Sequence, residues 1–521
     1  MKNYSSSITN RPQTQPIFGR TDMVQNNAGG FSFEVTPQQR LERFLLIGSE
    51  GGTYYVDEQK LTEQNATAII KYIKSDGAKA LATVVDFAEN NRAPKADATV
   101  FVLALIASHG DKETKIASYS AISKVCKTST HLFMFLANIQ NLRGWSKGLC
   151  KGVAKFYTGR TTDQVAYQLV KYRNRAGFTH ADALSLSHPS KVSAELFKLF
   201  GYARGKVTPF ESGNALVDAF EKAQSDVSTD ELVGLIREYK LTWEMVPQEK
   251  LNTKEVLLAL LENMPLTALI RNLNRFSYND LTEGNTPTVK TIVSKLTDKE
   301  NVQKSGIHPL NVVNSMLTYS SGRGVRGDKT WKVNQNIVDA LGTTYDLALA
   351  ALTPTNKNIL LAVDISGSMR APVNNMQMNA SQIANVLAVT ILKAEKNAEL
   401  MWFDTNIQPA KLGRRNSIDE VLRNSPHGGG TDCAQAFVHA LATKTKYDAI
   451  VILTDNETWA GNAHGLDLLN QYRRSVNRDV KVIELALAAN PSTNLPVDEA
   501  NVLRVVGFDA SVTDLINTYL E

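Results

Sequence analysis

Asn358-Ile359-Leu360-Leu361-Ala362-Val363-Asp364-Ile365-Ser366-Gly367-Ser368 decides how this chain is read. An apolar run with no polar alternation has no face to leave in water, so it belongs to a strand covered on both sides, as in a parallel sheet. Three more such runs follow at residues 398–403, 447–453 and 480–487. Helical patterns lie between them at 375–396, 433–442 and 466–474. That alternation predicts an α/β doubly wound domain over residues 354–521.

Doubly wound sheets bind ligands beyond the carboxyl ends of their strands. Three segments fall there: Asp364 to Ser368, Gly428-Gly429-Gly430-Thr431-Asp432, and Thr454-Asp455. The hydroxyls of Ser366, Ser368 and Thr431 and the carboxylates of Asp364 and Asp455 are hard oxygen ligands that suit a divalent cation, Mg2+ above others. Two carboxylates leave such an ion electrophilic, with a position open to an acidic group from a partner. The structural alternative for a lone Asp-x-Ser-x-Ser is a capped strand-to-helix turn, and the two further segments weigh against it. A phosphotransferase built on an aspartate nucleophile needs a second acid two positions on, where this chain has Ser366. The set of five is similar to the metal-ion-dependent adhesion site of von Willebrand factor A domains.

Outward from this domain the text changes. Before about residue 350 almost nothing alternates like a strand, and helix signals dominate. Thr36-Pro37 and Thr286-Pro287 place a cap before a proline at the first helical position. Ser228 with Glu231 reads as a capping box, and Asn252 with Glu255 as another helix start. Many helices with short polar connections over residues 31–353 imply a degenerate HEAT-like repeat stack. Residues 1–30, rich in Ser, Thr, Gln and Asn, read as a flexible polar arm.

Charge divides along the same boundary. From Lys357 onward there are 15 Lys+Arg against 18 Asp+Glu, a net of −3, and the whole chain carries +5, so the preceding part holds +8. Its excess gathers in Arg143, Lys147, Lys151, Lys155, Arg160, Lys171, Arg173 and Arg175, opposed by Asp163 alone. Arg143, Lys147, Lys151 and Lys155 recur every fourth residue, which predicts one side of a helix. Trp145, Phe156, Tyr157, Tyr172 and Phe178 are interleaved. Cations for phosphates beside planar groups for bases suit RNA. The plainer alternative is a solvated helix face over core aromatics, with His180 and His188 as ordinary structural histidines.

Three cysteines in 521 residues, far apart, form neither a disulfide framework nor a zinc motif, which points to a reducing compartment. The polar amino terminus predicts no signal peptide. The longest apolar stretch, 99–107, is about half of what a bilayer span requires. The expectation is a cytoplasmic protein without a membrane role.

A resemblance extends this reading. The run Phe44-Leu45-Leu46-Ile47-Gly48-Ser49-Glu50-Gly51-Gly52-Thr53-Tyr54-Tyr55 resembles the opening signature of the TROVE module, found in the Ro autoantigen and its bacterial relatives. Residues 171–180 with Leu186-Ser187-His188, then 264–273, then 322–327 agree with the same family. The resemblance implies a monomeric ring of HEAT-like repeats closed by the von Willebrand-like domain. It implies a non-enzymatic RNA-binding protein of noncoding-RNA quality control. Small structured Y-type RNA would bind the basic outer surface, and single-stranded ends of misfolded RNA the central hole. Polynucleotide phosphorylase or another exonuclease would be a partner. On this reading Lys147, Lys151, Lys171, Arg173, Arg175, His188 and Arg271 contact RNA. The alternative is a protein-interaction scaffold that captures an acidic partner through the metal site, with RNA incidental.

Overall fold

The computed structural model describes residues 11–47, 66–90, 92–93, 96–324, 328–373, 376–487, 492–496, 499–506, 516 and 519–520. Its strands, in chain order, are β1 (Met23–Gln25), β2 (Phe31–Glu34), β3 (Asn174–Arg175), β4 (Phe178–Thr179), β5 (Asn358–Asp364), β6 (Asn397–Phe403), β7 (Ile407–Pro409), β8 (Ala449–Thr454), β9 (Lys481–Ala486), β10 (Ser492–Thr493) and β11 (Val502–Val506).

The carboxy-terminal part is a six-stranded sheet of order β11-β9-β8-β5-β6-β7, parallel except for the β6–β7 pair. The sheet is covered on both faces, as the unbroken apolar runs require. On one face Ile359, Leu361 and Val363 of β5 meet the helix Ala380–Ala394. On the other, Leu360 and Ala362 share a cluster with Phe437 and Ala440 of Gln435–Thr443 and with Leu469 and Tyr472 of Gly465–Ser475. The chain leaves β5 for β6 on one side and returns as β8 on the other. The crevice at such a reversal opens beyond the carboxyl ends of β5 and β8.

The amino-terminal part is an α-helical, HEAT-like repeat array from Pro37–Ile47 to Gln335–Ala350. Helices two apart in the chain pack together: Gly77–Glu89 on Lys112–Val125, Ala96–His109 on Ser129–Leu142, and Lys112–Val125 on Lys147–Thr158. Each helix buries one stripe against its neighbours, as stacked repeats do. The helix Ala96–His109 buries every residue from Ala98 to Ala107, which accounts for the longest apolar stretch of the sequence. Among the described residues no helix is long and apolar enough to cross a membrane. Cap residues behave as expected at Thr36 and Thr286, while Ser228 accepts from the Glu231 N–H without the return bond of a capping box. The helix expected to start at Asn252 is capped instead by Thr253, without a side-chain bond.

Both ends of the array meet the α/β domain. The helix Pro37–Ile47 lies against β11, while Pro309–Ser320 and Gln335–Ala350 lie against Ala380–Ala394. At the second junction Tyr345 Oη is 3.3 Å from Thr390 Oγ1. At the first, Glu484 of β9 is 1% exposed and pairs with Arg504 of β11 at 3.3 Å. Arg43 of the first helix is also buried, and its charge and that of Glu484 stabilise one another.

Residues 1–30 differ from expectation over their described part. Residues 11–30 are not a free arm. They run across the α/β domain, and β2 pairs with both β1 and β10 while Phe33 enters the core under the sheet. Polar composition does not mean solvation in this stretch. Here Gln13 and Asn26 are buried and spend their amide groups on the domain beneath. The strands β1 to β4 are two to four residues long, too short to show an alternating pattern. Residues 48–55 of the opening signature and 325–327 lie outside the described residues.

Removing one member of a buried ionic group strands the others, at a cost of about 3–5 kcal/mol. Glu484→Ala is therefore expected to lower stability by that order, measured as a shift of the urea midpoint; an unchanged midpoint would contradict it.

Candidate nucleic-acid interface and metal centre

The basic segment resolves into three kinds of side chain. Lys147, Lys151 and Lys155 lie on the exposed face of the helix Lys147–Thr158, whose Leu149, Val153 and Phe156 are buried. Arg143, expected on that helix, ends the preceding one instead. Its guanidinium donates to Ala107 O and Tyr119 Oη, both at 2.9 Å. Arg160 likewise turns inward, stacked over the Phe156 ring at 3.6 Å. Phe156 and Tyr157 are core residues, as the plainer alternative held.

Beyond the helix Thr162–Lys171 the chain makes a hairpin of β3 and β4, turning at Ala176 (φ 52°) and Gly177 (φ 81°). Two successive positive φ values are the signature of the tight turn whose twist matches a hairpin. Arg173, Arg175 and the turn itself are exposed. Arg173 lies 5.2 Å over the Phe220 ring. His188 ends the following helix, His180–Ser187, in the left-handed region at φ 46°, and is exposed. That helix packs against Lys147–Thr158, so the lysine face and the His188 end belong to neighbouring elements. Lys171 is different: its ammonium donates to Tyr167 Oη at 2.9 Å and lies 3.9 Å from Glu244. Arg271 is exposed on Leu266–Tyr278, and that helix has no substantial packing against the 171–188 segment. Among the described residues, the side chains of Lys147, Lys151, Arg175, His188 and Arg271 have no hydrogen-bond or ion-pair partner within the protein.

His180 holds the hairpin in place. Its Nδ1 lies 2.9 Å from Tyr157 Oη, and its Nε2 lies 3.1 and 3.0 Å from the carbonyls of Gln168 and Tyr172. Two carbonyls at Nε2 require the proton there, so Nδ1 accepts from the tyrosine. Burial lowers its pKa from 6.5 to about 4. The unfolded chain therefore takes up a proton that the folded one refuses, and stability falls as pH drops from 6.5 towards 4. His308 is shifted the same way by burial, to about 4. Between pH 6.5 and 4 the urea midpoint of wild type should fall more, or rise less, than that of His180→Gln, which keeps the shares of His308, His131, His427, His464 and every other shifted group; equal slopes would contradict the assignment.

Asp364, Ser366, Ser368 and Asp455 are joined by hydrogen bonds at the reversal between β5 and β8, and Thr431 lies on the adjoining loop, whose Gly429 carbonyl accepts from the Gly367 N–H at 2.9 Å. Asp364 ends β5 and is fully buried, while Ser366, Thr431 and Asp455 are 1–2% exposed and Ser368 faces solvent. Asp364 Oδ1 accepts from the Ser366 N–H at 2.8 Å, and Oδ2 from the Thr454 hydroxyl at 2.6 Å. Asp455 Oδ1 accepts from the Glu457 N–H at 3.1 Å, and Ser368 bonds to the same carboxylate. In the Gly428-Gly429-Gly430 segment neighbours press on the first and third glycines, while a Cβ at Gly429 would meet nothing within 4 Å. A Cβ at Gly428 would lie 2.5 Å from Asp404 Oδ2, and one at Gly430 the same distance from Trp459 Cζ2.

The donor set fits a small cation. Ser366 Oγ and Ser368 Oγ are 3.2 Å apart. Adjacent ligands on an octahedron with 2.0–2.1 Å bonds lie about 2.9 Å apart, so both hydroxyls can reach one ion after a small shift. Burial and then the charge of Asp455 push the Asp364 carboxyl well up from the usual range. A cation between them would relieve both.

Family models match the same two regions: a TROVE domain over residues 24–230 and 237–318, and a Ro60 vWA domain over 358–520. The chain is 34% identical to the RNA-binding protein RO60 of Deinococcus radiodurans, covering 100% of this chain and 99% of that one. The chain belongs to the TROVE family. A second relative, the RNA-binding protein RO60 of Caenorhabditis elegans, is 30% identical over 95% of this chain and 90% of its own. The crystal structure of the Deinococcus radiodurans RO (RSR) protein superposes with a TM-score of 0.76 at 32% identity, covering 93% of this chain and 99% of that one.

Within this TROVE chain the candidate metal-ligating residues and the basic hairpin sit on different domains. Sequence reasoning found both groups but missed Gln13 and the Arg43–Glu484–Arg504 cluster, for which no local pattern exists. Asp364→Ala should abolish divalent-cation binding measured by calorimetry. It should leave RNA affinity within about threefold, since phosphate contacts carry that affinity; a folded variant with a large loss of RNA binding would contradict the separation.

Proposed function

We propose that this protein is a non-enzymatic RNA-binding ring of noncoding-RNA quality control. Small structured Y-type RNA binds its basic outer face, and single-stranded ends of misfolded RNA enter a central hole. The observation that carries the reading is the exposed, unpartnered set Lys147, Lys151, Arg175 and His188, held on neighbouring elements of a TROVE chain whose relatives are named RNA-binding proteins. Arg173 and Arg271 extend the set, and Lys171 supports it by fixing the start of the hairpin. A folded RNA is held by its backbone and shape on such a surface, while a channel selects free ends. An array whose two ends meet one domain supports a closed ring acting as a monomer.

Mg2+ in the β5–β8 crevice would supply an electrophilic site for an acidic group of a protein partner, and an exonuclease such as polynucleotide phosphorylase fits the proposed role. The proposed setting is the cytoplasm. The second reading, a scaffold that captures an acidic partner with RNA incidental, draws on the exposure of Ser368 beside the buried carboxylates.

Replacing Arg175 and His188 together by alanine should weaken a structured RNA by roughly 2–4 kcal/mol, taking about 1.5–3 for each charged-group hydrogen bond before non-additivity. An RNA with a free single-stranded end should retain binding through the hole. A competition gel decides it, and equal loss for a blunt hairpin and a tailed RNA would refute the two-site picture. For single-stranded RNA, five phosphate contacts predict a log–log salt slope of about −3.5. Affinity that ignores salt would refute an electrostatic surface.

A further inference from the structure

Residues 11–34 cross the two loops that carry Thr431 and Asp455, and Gln13 bonds to both. Gln13 is 2% exposed. Its Nε2 donates to Asp432 Oδ1 at 2.6 Å and to Ala463 O at 3.0 Å, while its Oε1 accepts from the Thr458 hydroxyl. Its backbone N–H donates to Gly461 O at 3.1 Å. Asp432 directly follows Thr431, and Thr458 lies on the loop that begins at Asp455. Further along, Asn26 Nδ2 donates to Thr458 O at 2.6 Å. Asn27 Nδ2 and the Ala28 N–H hold the Glu457 carboxylate at 2.8 and 3.1 Å. The segment lies so close that a Cβ at Gly30 would fall 2.0 Å from Thr458 O.

We propose that this segment, with Gln13 at its centre, is a positioning element of the divalent-cation site: it ties the 428–432 loop to the 455–461 loop, so that Thr431 and Asp455 stay within reach of one ion. The proposal rests on the reading of Asp364, Ser366, Ser368, Thr431 and Asp455 as cation ligands. The two loops follow different elements, one after the helix Ile418–Asn424 and one after β8. Within the domain they are joined by the Thr431 carbonyl, which accepts from the Trp459 and Ala460 N–H groups at 3.0 and 2.9 Å, and by the Thr458 hydroxyl, which accepts from the Cys433 N–H at 3.1 Å. Gln13 adds a side-chain link across the same gap. A primary amide suits this place because one arm donates to a carboxylate and the other accepts from a hydroxyl. A partner of this kind behind the ligands changes metal affinity without touching the ion. Linkage then runs both ways: whatever the segment adds to ion binding, the ion adds to docking of the segment.

The test is calorimetric titration of Mg2+ into the full chain after removal of divalent ions, for wild type and Gln13→Met, which keeps the volume and loses the bonds. Gln13→Met should bind about 10–100-fold more weakly. A second readout is the rate of tryptic cleavage at Arg20. Mg2+ should slow it in wild type, but much less in Gln13→Met and not at all in Asp364→Ala, a coupling that a merely structural residue would not produce. Should Gln13→Met fail to fold, Asn27→Ala removes one of the two bonds from the segment to Glu457, leaving that of the Ala28 N–H, and should weaken Mg2+ in the same direction. Wild-type affinity in these variants, with Mg2+ bound by wild type, overturns the positioning role alone. A wild-type chain that binds no Mg2+ overturns the cation reading and this proposal together, and the wild-type titration tells the two failures apart.

Discussion

The buried Glu484 is the constraint on which the arrangement of the two domains turns. A carboxylate 1% exposed in the middle of β9 is tolerable only beside cations, and both come from different parts of the chain: Arg504 from the neighbouring strand and Arg43 from the first helix of the array. Burial drives the carboxyl up, and the two guanidinium groups bring it down. Such a cluster contributes little net stability compared with an apolar filling. It does prescribe geometry, because only one docking of the helix Pro37–Ile47 on the sheet edge supplies the second cation. The array's far end meets the same domain through ordinary packing and the Tyr345–Thr390 contact. With both ends held, the array between them cannot unwind without breaking a junction.

The α/β domain was legible because its chemistry is local. An unbroken apolar run means a strand covered on both faces, and the residues after it must lie at the carboxyl edge. Asp364, Ser366, Ser368, Thr431 and Asp455 could thus be placed together before any coordinates. The helical array was legible as a class, since caps such as Thr36 and Thr286 act within one turn. Its register was not, because successive repeats share no fixed period.

What stayed hidden depends on contacts between residues far apart in the chain. Gln13 and Asp432 are 419 positions apart, and a glutamine in a polar stretch carries no sign that it will be buried. The same limit made Arg143 look like a fourth lysine-row member. Spacing of four cannot tell a helix from a cap followed by a new helix. Lys171 shows the converse, a cation in a recognisable motif that spends its charge on Tyr167 and Glu244. Among the candidate RNA contacts, Lys147, Lys151, Arg173, Arg175 and His188 remain exposed after such internal uses are subtracted and lie on the hairpin and the helices beside it, while Arg271 stands apart on Leu266–Tyr278.

The functional account divides labour between a basic helical surface that meets RNA and a mildly acidic α/β domain that closes the array and offers oxygen ligands. Ultraviolet cross-linking of a bound hairpin RNA to the full-length protein, mapped by mass spectrometry, tests this division most directly. The account predicts adducts in peptides from residues 144–191, with the α/β domain free of them. Adducts concentrated in residues 358–506, with the hairpin unmarked, would contradict it.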